Sequence, residues 1–383
     1  MVQAQFPFAL TAILPAATAA LQPVRRAAAP TDAAERADPT GFEIGWDHAH
    51  HRLTPPLAHL HAHSPVRQGW SAGRAAFGAR TLRPTAAVGR WLSLRLAAWQ
   101  AGQVFEGVQV TPHFLVRIDS AVCPVSRQAL LPQGGRSADA VVQRLCLDAA
   151  YAAGNLAVTS RAVAEARDGM DWQQAWSQAQ RIESGECSAV RGLGAAEWTR
   201  IALLASFATN IPHARAACLP LRLLPPNRVR VINPVQALQV MLTLQFTQAG
   251  YARRLMALAA LMPASEARQV FQIFMHTLLA RRLAAGQPAN PLAMRQAMED
   301  SWADPLVNRR WQRLALRLDA ADCELILQRA ARRQLAVGGS RWLSDAAATD
   351  GWALPVPTAP AQAGSTSRSP GFTRSSGSQK LAS

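Results

Sequence analysis

The spacing of apolar and polar positions changes character near residue 185. Beyond it, apolar residues recur every three or four positions, which predicts successive helices over 195–208, 234–250, 251–261, 265–285, 291–302 and 306–334. Their boundaries carry local signals. Asn233-Pro234 and Asn290-Pro291 each place a capping side chain before a proline suited to the first helical turn, Ser265-Glu266 opens another helix, and Asp319 or Asp322 caps the last. Gly250 and Gly286 mark helix ends. Upstream the pattern is less regular. Residues 88–101 set Trp91, Leu92, Leu94, Leu96 and Trp99 among Arg90, Arg95 and Gln100, as a helix with a partly basic face would. Residues 46–83 mix glycine, proline, histidine and aromatics without a sustained period, which predicts turns and short strands, and a short strand is expected at 108–110.

The fold class that follows is mainly α: an irregular α+β N-terminal region with a candidate ββα finger, then a helical C-terminal domain. Residues 1–41, rich in alanine and proline, read as a flexible arm; 42–185 form the mixed region; 186–345 form the helical domain; and 346–383 read as a disordered tail dominated by Ser, Gly, Pro and Thr. No repeat of about 34 or 40 residues is visible, which excludes a solenoid.

Composition narrows the function classes. The 383 residues carry 40 basic and 24 acidic side chains, a net charge of +16, and the basic residues are arginines apart from Lys380. Guanidinium groups present a planar fork to phosphates and carboxylates, so nucleic acid is the expected partner and an acidic protein the alternative. The five cysteines, Cys123, Cys146, Cys187, Cys218 and Cys323, include no C-x-x-C pair, against a disulfide framework or zinc ribbon. The apolar run at 6–21 contains Pro7 and Pro15 and meets Arg25-Arg26 only afterwards, unlike a secretory signal, and arginines interrupt every later apolar run. A cytoplasmic protein that does not cross a membrane is expected. No P-loop, dinucleotide fingerprint, nucleophile elbow or H-E-x-x-H helix occurs, so no cofactor is expected.

Three constellations remain. The first is Cys123-Pro124-Val125-Ser126, followed by Gln143-Arg144, Tyr151-Ala152-Ala153-Gly154-Asn155-Leu156 and Ser160 before a helix. This order resembles the core of HNH-type His-Me finger endonucleases, particularly the phage recombination-endonuclease branch, over residues 113–167. The resemblance implies a ββα unit in which Cys123, Tyr151, Gly154 and Asn155 are structural, and in the family the unit holds one divalent metal while a histidine activates water. This chain departs from that pattern. Gln143-Arg144 stands where an acidic or histidine pair is expected, and Ala164 where a metal-binding asparagine belongs. An amide and a guanidinium cannot replace a carboxylate and an imidazole. The resemblance therefore implies a degenerate finger without catalysis, with a metal-dependent endonuclease as the alternative.

The second constellation is six histidines within residues 48–63. His59, His61 and His63 would share one face of a strand, and His59 and His63 one face of a helix, so a divalent metal there is the alternative to a solvated histidine-rich loop. The third is arginine beside tryptophan, for which core packing is the stronger reading: Trp311, Leu314 and Leu318 repeat at core spacing while Arg309, Arg310, Arg313 and Arg317 fall opposite. The expected nucleic-acid contacts are Arg144, Arg161, Arg329, Arg332 and Arg333, the last three forming a stripe at i, i+3 and i+4. A helical scaffold that binds an acidic protein is the competing function, and the oligomeric state is not legible.

Overall fold

In the computed structural model the described residues are 9–11, 38–130, 140–337 and 341–354. They form fifteen α-helices and two small sheets, a mainly α fold with a small α+β region. The first two helices form a hairpin: α1 (Pro39–His50) and α2 (Pro65–Phe77). Asp38 caps α1 by accepting from the Thr40 and Gly41 amides. The next helix, α3 (Ala86–Gln100), is two-faced. Leu96 and Trp99 pack with Ile44 and Val66 in the hairpin's own small core, while Trp91 and Leu94 lie on the main core.

The hairpin corrects the expectation of turns and short strands at 46–83. Gly41 and Gly45 on α1 face Gly69 and Gly73 on α2, four residues apart on each helix. A Cβ on Gly45 would fall on the Val66 carbonyl oxygen, and one on Gly69 on the Phe42 carbonyl oxygen. Gly45 and Gly69 let the two helix backbones touch, as small residues do at close helix crossings, and Gly41 and Gly73 make room for the side chains of Pro65 and Ala49, so none of the four is a turn residue. The expected strand at 108–110 is also corrected: these residues make turns before α4 (Pro112–Ile118), which Thr111 caps.

The main core is one cluster of buried residues drawn from the described chain between Val110 and Trp352. After α4 the chain makes a tight turn at Cys123 closed by antiparallel bonds, then forms β2 (Ala140–Arg144), β3 (Leu156–Ser160) and α5 (Arg161–Arg167). Strands β2 and β3 pair antiparallel, with Val142 opposite Val158. Two helices packed on each other follow, α6 (Trp172–Glu183) and α7 (Ala195–Phe207), and one core cluster includes residues on both sides of residue 185. The short α8 (His213–Cys218) and β4 (Arg230–Val231) lead into α9 (Pro234–Gln245), every residue of which is buried. Gln236, Gln239, Thr243 and Gln245 tolerate that position because each has a hydrogen-bond partner: Ser206, the Leu219 carbonyl, the Gln239 carbonyl and the Leu335 carbonyl.

The remaining helices are α10 (Tyr251–Ala259), α11 (Ser265–Ala284), α12 (Pro291–Ser301), α13 (Pro305–Ala315) and α14 (Ala320–Arg332), in the order the sequence periodicity predicts. Trp311, Leu314 and Leu318 are buried as the core reading requires, and Arg309, Arg313 and Arg317 are exposed. Gly250 and Gly286 take positive φ at helix boundaries, and Asn290 and Asp319 cap their helices.

Both ends of the chain are more engaged than the sequence predicts. From the expected arm, Ala9–Thr11 forms β1, the central strand of a parallel sheet between β4 and β5 (Arg341–Leu343), and α1 begins at Pro39, before residue 42. From the expected tail, residues 346–354 belong to the fold: α15 (Asp345–Ala348) leads to Trp352, which is fully buried. A single tryptophan with its indole N–H bonded anchors a segment whose composition gives no helical period. Residues 1–8, 12–37 and 355–383 of the expected arm and tail lie outside the described residues. Among the described residues no helix is long and apolar enough to cross a membrane.

Candidate nucleic-acid interface and the ββα unit

The loop between β2 and β3 is organised around Asn155. Its side chain is fully buried; Oδ1 accepts from the Cys146 amide (2.8 Å), and Nδ2 donates to the carbonyls of Cys146 (3.0 Å) and Ala150 (2.9 Å). One amide thus ties both ends of the turn together, which needs an acceptor and two donors on one small group. Gly154 precedes it with φ +94, and the stem of Arg230 lies where a Cβ would be, so both conformation and space exclude a side chain. Cys123 is buried beneath the unit and its Sγ accepts from the Ser160 amide (3.3 Å). Tyr151 stacks on Phe105 and under the Arg144 guanidinium, 4.8 Å from its ring centre.

The rest of the fold closes over this loop. The Tyr151 amide donates to the Val104 carbonyl, the Ala150 amide to the Trp352 carbonyl, and the Trp352 indole to the Ala153 carbonyl (3.0 Å). Arg230 reaches the Ala348 carbonyl and Gln109. The second half of the loop is therefore interior structure.

The polar positions at the end of β2 point to internal partners. Gln143 Nε2 donates to Thr159 Oγ1 across the strand pair. Arg144 Nη1 donates to the carbonyls of Leu147 (2.8 Å) and Ala149 (3.0 Å) and to Gln103 (2.8 Å), so this expected nucleic-acid contact is instead a loop clamp. Ala164 contributes no ligand atom. One turn on, Arg167 fills the space between α5 and the loop, donating to the carbonyls of Arg144 (2.6 Å), Leu145 (2.7 Å) and Met170 (3.0 Å). Burial lowers its pKa to about 10; the Cys146 thiol and Asp171 oppose that shift and Arg144 adds to it. It still holds its proton near neutrality. Arg167 had no sequence signal except its place in the last turn of a short helix.

The histidines do not converge. Among the described residues no three His, Cys, Asp or Glu side chains are placed to hold a metal ion. His59 sits edge-on to Trp99 and bonds Gln100, whereas His61 and His63 are exposed. His48 is buried and donates from Nδ1 to the Ile44 carbonyl (2.7 Å). The 3-10 turn at Leu57–His59 breaks the regular spacing on which a shared ligand face depends.

The arginine–tryptophan pairs are structural. Trp91 donates to the Val110 carbonyl and Trp70 to the Leu53 carbonyl, with Arg95 and Arg74 over their rings, and Trp198, Trp302 and Trp311 are buried. The stripe on α14 differs. Cys323, Ile326, Leu327 and Ala330 face the core, which turns Arg329, Arg332 and Arg333 outward, and all three are exposed. Among the described residues none of the three has an ion-pair partner, whereas Arg90, Arg95, Arg127, Arg281, Arg295 and Arg317 are all matched to carboxylates. Arg161 is exposed on the first turn of α5.

No family model, curated protein or solved structure matches the chain, so its function has to be read from this geometry.

Proposed function

We propose that this is a nucleic-acid-binding accessory protein that contacts phosphates through Arg329, Arg332 and Arg333, and whose ββα unit is a non-catalytic, degenerate HNH-like finger. The observation that carries the reading is the outward arginine stripe at the end of α14, without an ion-pair partner among the described residues, in a chain of net charge +16. A helix end also attracts cations through its dipole. That local effect accounts for one arginine more readily than for three on one exposed face. The finger reading is supported by the strand, loop, strand, helix order, by the Asn155 tie and by Gly154. Its lack of catalysis is supported by Gln143, Arg144 and Ala164 at the ligand positions and by the Arg167 cation held against the loop carbonyls.

The test is fluorescence anisotropy of labelled single- and double-stranded DNA titrated with the protein across salt. Binding should weaken linearly in log salt, and replacing all three arginines with alanine should reduce the slope by about 2 to 3, one unit per lost phosphate contact. Absence of binding at low salt would remove the reading and leave the acidic-partner scaffold.

A further inference from the structure

Acidic residues are unevenly placed along the chain. Between His48 and Phe105 there is no aspartate or glutamate, whereas the same stretch carries seven arginines. Three of them are occupied: Arg52 donates to Thr81, Arg90 pairs with Asp119 and Arg95 with Asp47. The other four, Arg67, Arg74, Arg80 and Arg83, are exposed and have no ion-pair partner among the described residues. Two of these lie on α2 and two in the segment that follows it.

Helix α2 stands at the margin of the fold. It packs chiefly on α1, and α1 in turn on α3. Val66, Gly69 and Gly73 form its buried face, and the contact of Gly69 with the Phe42 backbone seats it on α1. At 3.6 residues per turn the opposite face consists of Arg67, Gln68, Ser71, Arg74 and Ala75, all of them exposed. Ser71 lies at the centre of that face with Ala75 beside it, so the helix backbone can come close to a partner. Arg67 and Arg74 flank the centre on one side and Gln68 on the other. The Trp70 indole donates to the Leu53 carbonyl (3.1 Å), and the Arg74 guanidinium lies over its ring, 4.8 Å from the centre. Stacking fixes the plane of that guanidinium and leaves its N–H edge for an outside acceptor.

Local electrostatics does not account for this face. Arg67 stands in the first turn of α2, where a cation opposes the helix dipole, and no acidic side chain occupies that turn. A face that is merely solvated mixes both signs of charge, whereas this one holds cations, an amide, a hydroxyl and a methyl. Those are the groups that read base edges: a guanidinium pairs with guanine O6 and N7, an amide with adenine N6 and N7, and a methyl packs on that of thymine.

We propose that α2 is a recognition helix that enters the major groove of duplex DNA, with Arg67, Gln68 and Arg74 reading base edges and Arg80 and Arg83 contacting flanking phosphates. A helix with its side chains is about 10 to 12 Å across and the groove is about 12 Å wide. The proposal shares its class of partner with the α14 reading and none of its residues. The α14 stripe supplies charge without regard to sequence, and α2 supplies the sequence preference.

A pool of duplexes with a randomised core, selected on the full chain and sequenced, tests it. Enrichment of a short motif containing guanine is expected. Arg67→Lys keeps the charge and loses the fork, and Gln68→Ala changes no charge. Each should weaken binding to the selected duplex about tenfold, with binding to a scrambled duplex and the unfolding midpoint unchanged. Replacing the selected guanines by 7-deazaguanine removes an acceptor found only in the major groove and should weaken binding as much. The triple alanine variant of Arg329, Arg332 and Arg333 should bind every duplex more weakly and select the same motif. Retention of duplexes with no enriched motif would overturn the α2 proposal and leave the α14 reading standing. A motif indifferent to Arg67→Lys and Gln68→Ala, or to 7-deazaguanine, would also overturn it, as would preferential retention of single strands.

Discussion

Glycine does opposite work in the N-terminal hairpin and in the C-terminal helices. At Gly250, just before α10, and at Gly286, just after α11, it supplies a positive φ at a helix boundary, with open space where a Cβ would stand. At Gly45 and Gly69 the backbone is ordinary helix and the missing atom is the point, because the main chain of the other helix occupies the space; at Gly41 and Gly73 the space is taken first by the side chains of Pro65 and Ala49. The first use is local and leaves a sequence signal. The second depends on which helix lies opposite.

The sharpest way to break this contrast is Gly45→Ala. Its Cβ would meet the Val66 carbonyl, so α1 and α2 must separate and expose Ile44 and Val66. A loss of about 3 kcal/mol is expected. Amide hydrogen exchange should show protection lost over residues 39–77 and retained in α9; an unchanged unfolding midpoint would disprove the close crossing.

Asn155→Ala comes next and strikes the body. It strands the Cys146 amide and the carbonyls of Cys146 and Ala150 in the interior, for a cost of about 2 to 3 kcal/mol. Because this loop also holds Trp352, the loss should appear as early exposure of that indole to a fluorescence quencher. Asn155→Asp keeps one acceptor and removes two donors, and should recover little of it.

What the sequence made legible follows the same line. The C-terminal helices could be read because their caps, prolines and terminal glycines act within a few residues, and Asn155 and Gly154 could be singled out because a turn is local. The hairpin could not, since its glycines, histidines and prolines all carry loop statistics and only the facing backbone explains them. Trp352 is a single side chain in a segment without a period, so no local pattern announces that it is buried. The charge of Arg144 is plain in the sequence, whereas carbonyls five or fewer residues away decide where that charge goes. Arg295 and Glu299, four apart on α12, had the spacing of an ion pair, and that signal was available. The meeting of Glu299 with Arg127 depends on a contact 172 residues distant in sequence.

Gly250→Ala measures the local use of glycine alone. With φ +71 and nothing nearby to clash, the cost should be about 1 kcal/mol, confined to backbone strain. If it equals that of Gly45→Ala, the two uses of glycine are not distinct.

The smallest expected effect separates the regions by pH. Burial pushes the pKa of His48, His51 and His59 below the ordinary 6.5, and all three belong to the hairpin region. At His48 the Ile44 carbonyl and Asp47 oppose the shift, while Arg95 and His59 reinforce it; His50 reinforces it at His51, and His61 at His59. Each group binds its proton more weakly when folded, so the unfolded chain takes up more protons as pH drops through 6.5, and stability present above that pH declines toward the folded values. Lowering the pH from about 7 to about 5 should therefore loosen the hairpin before the body. Hydrogen exchange at the two pH values, corrected for the intrinsic rate, reads this directly: residues 39–77 should lose protection while α9 keeps it. His48→Gln removes the most buried of the three and should blunt the response. Equal loss in both regions would show that acid acts on the chain's overall charge and not on these imidazoles.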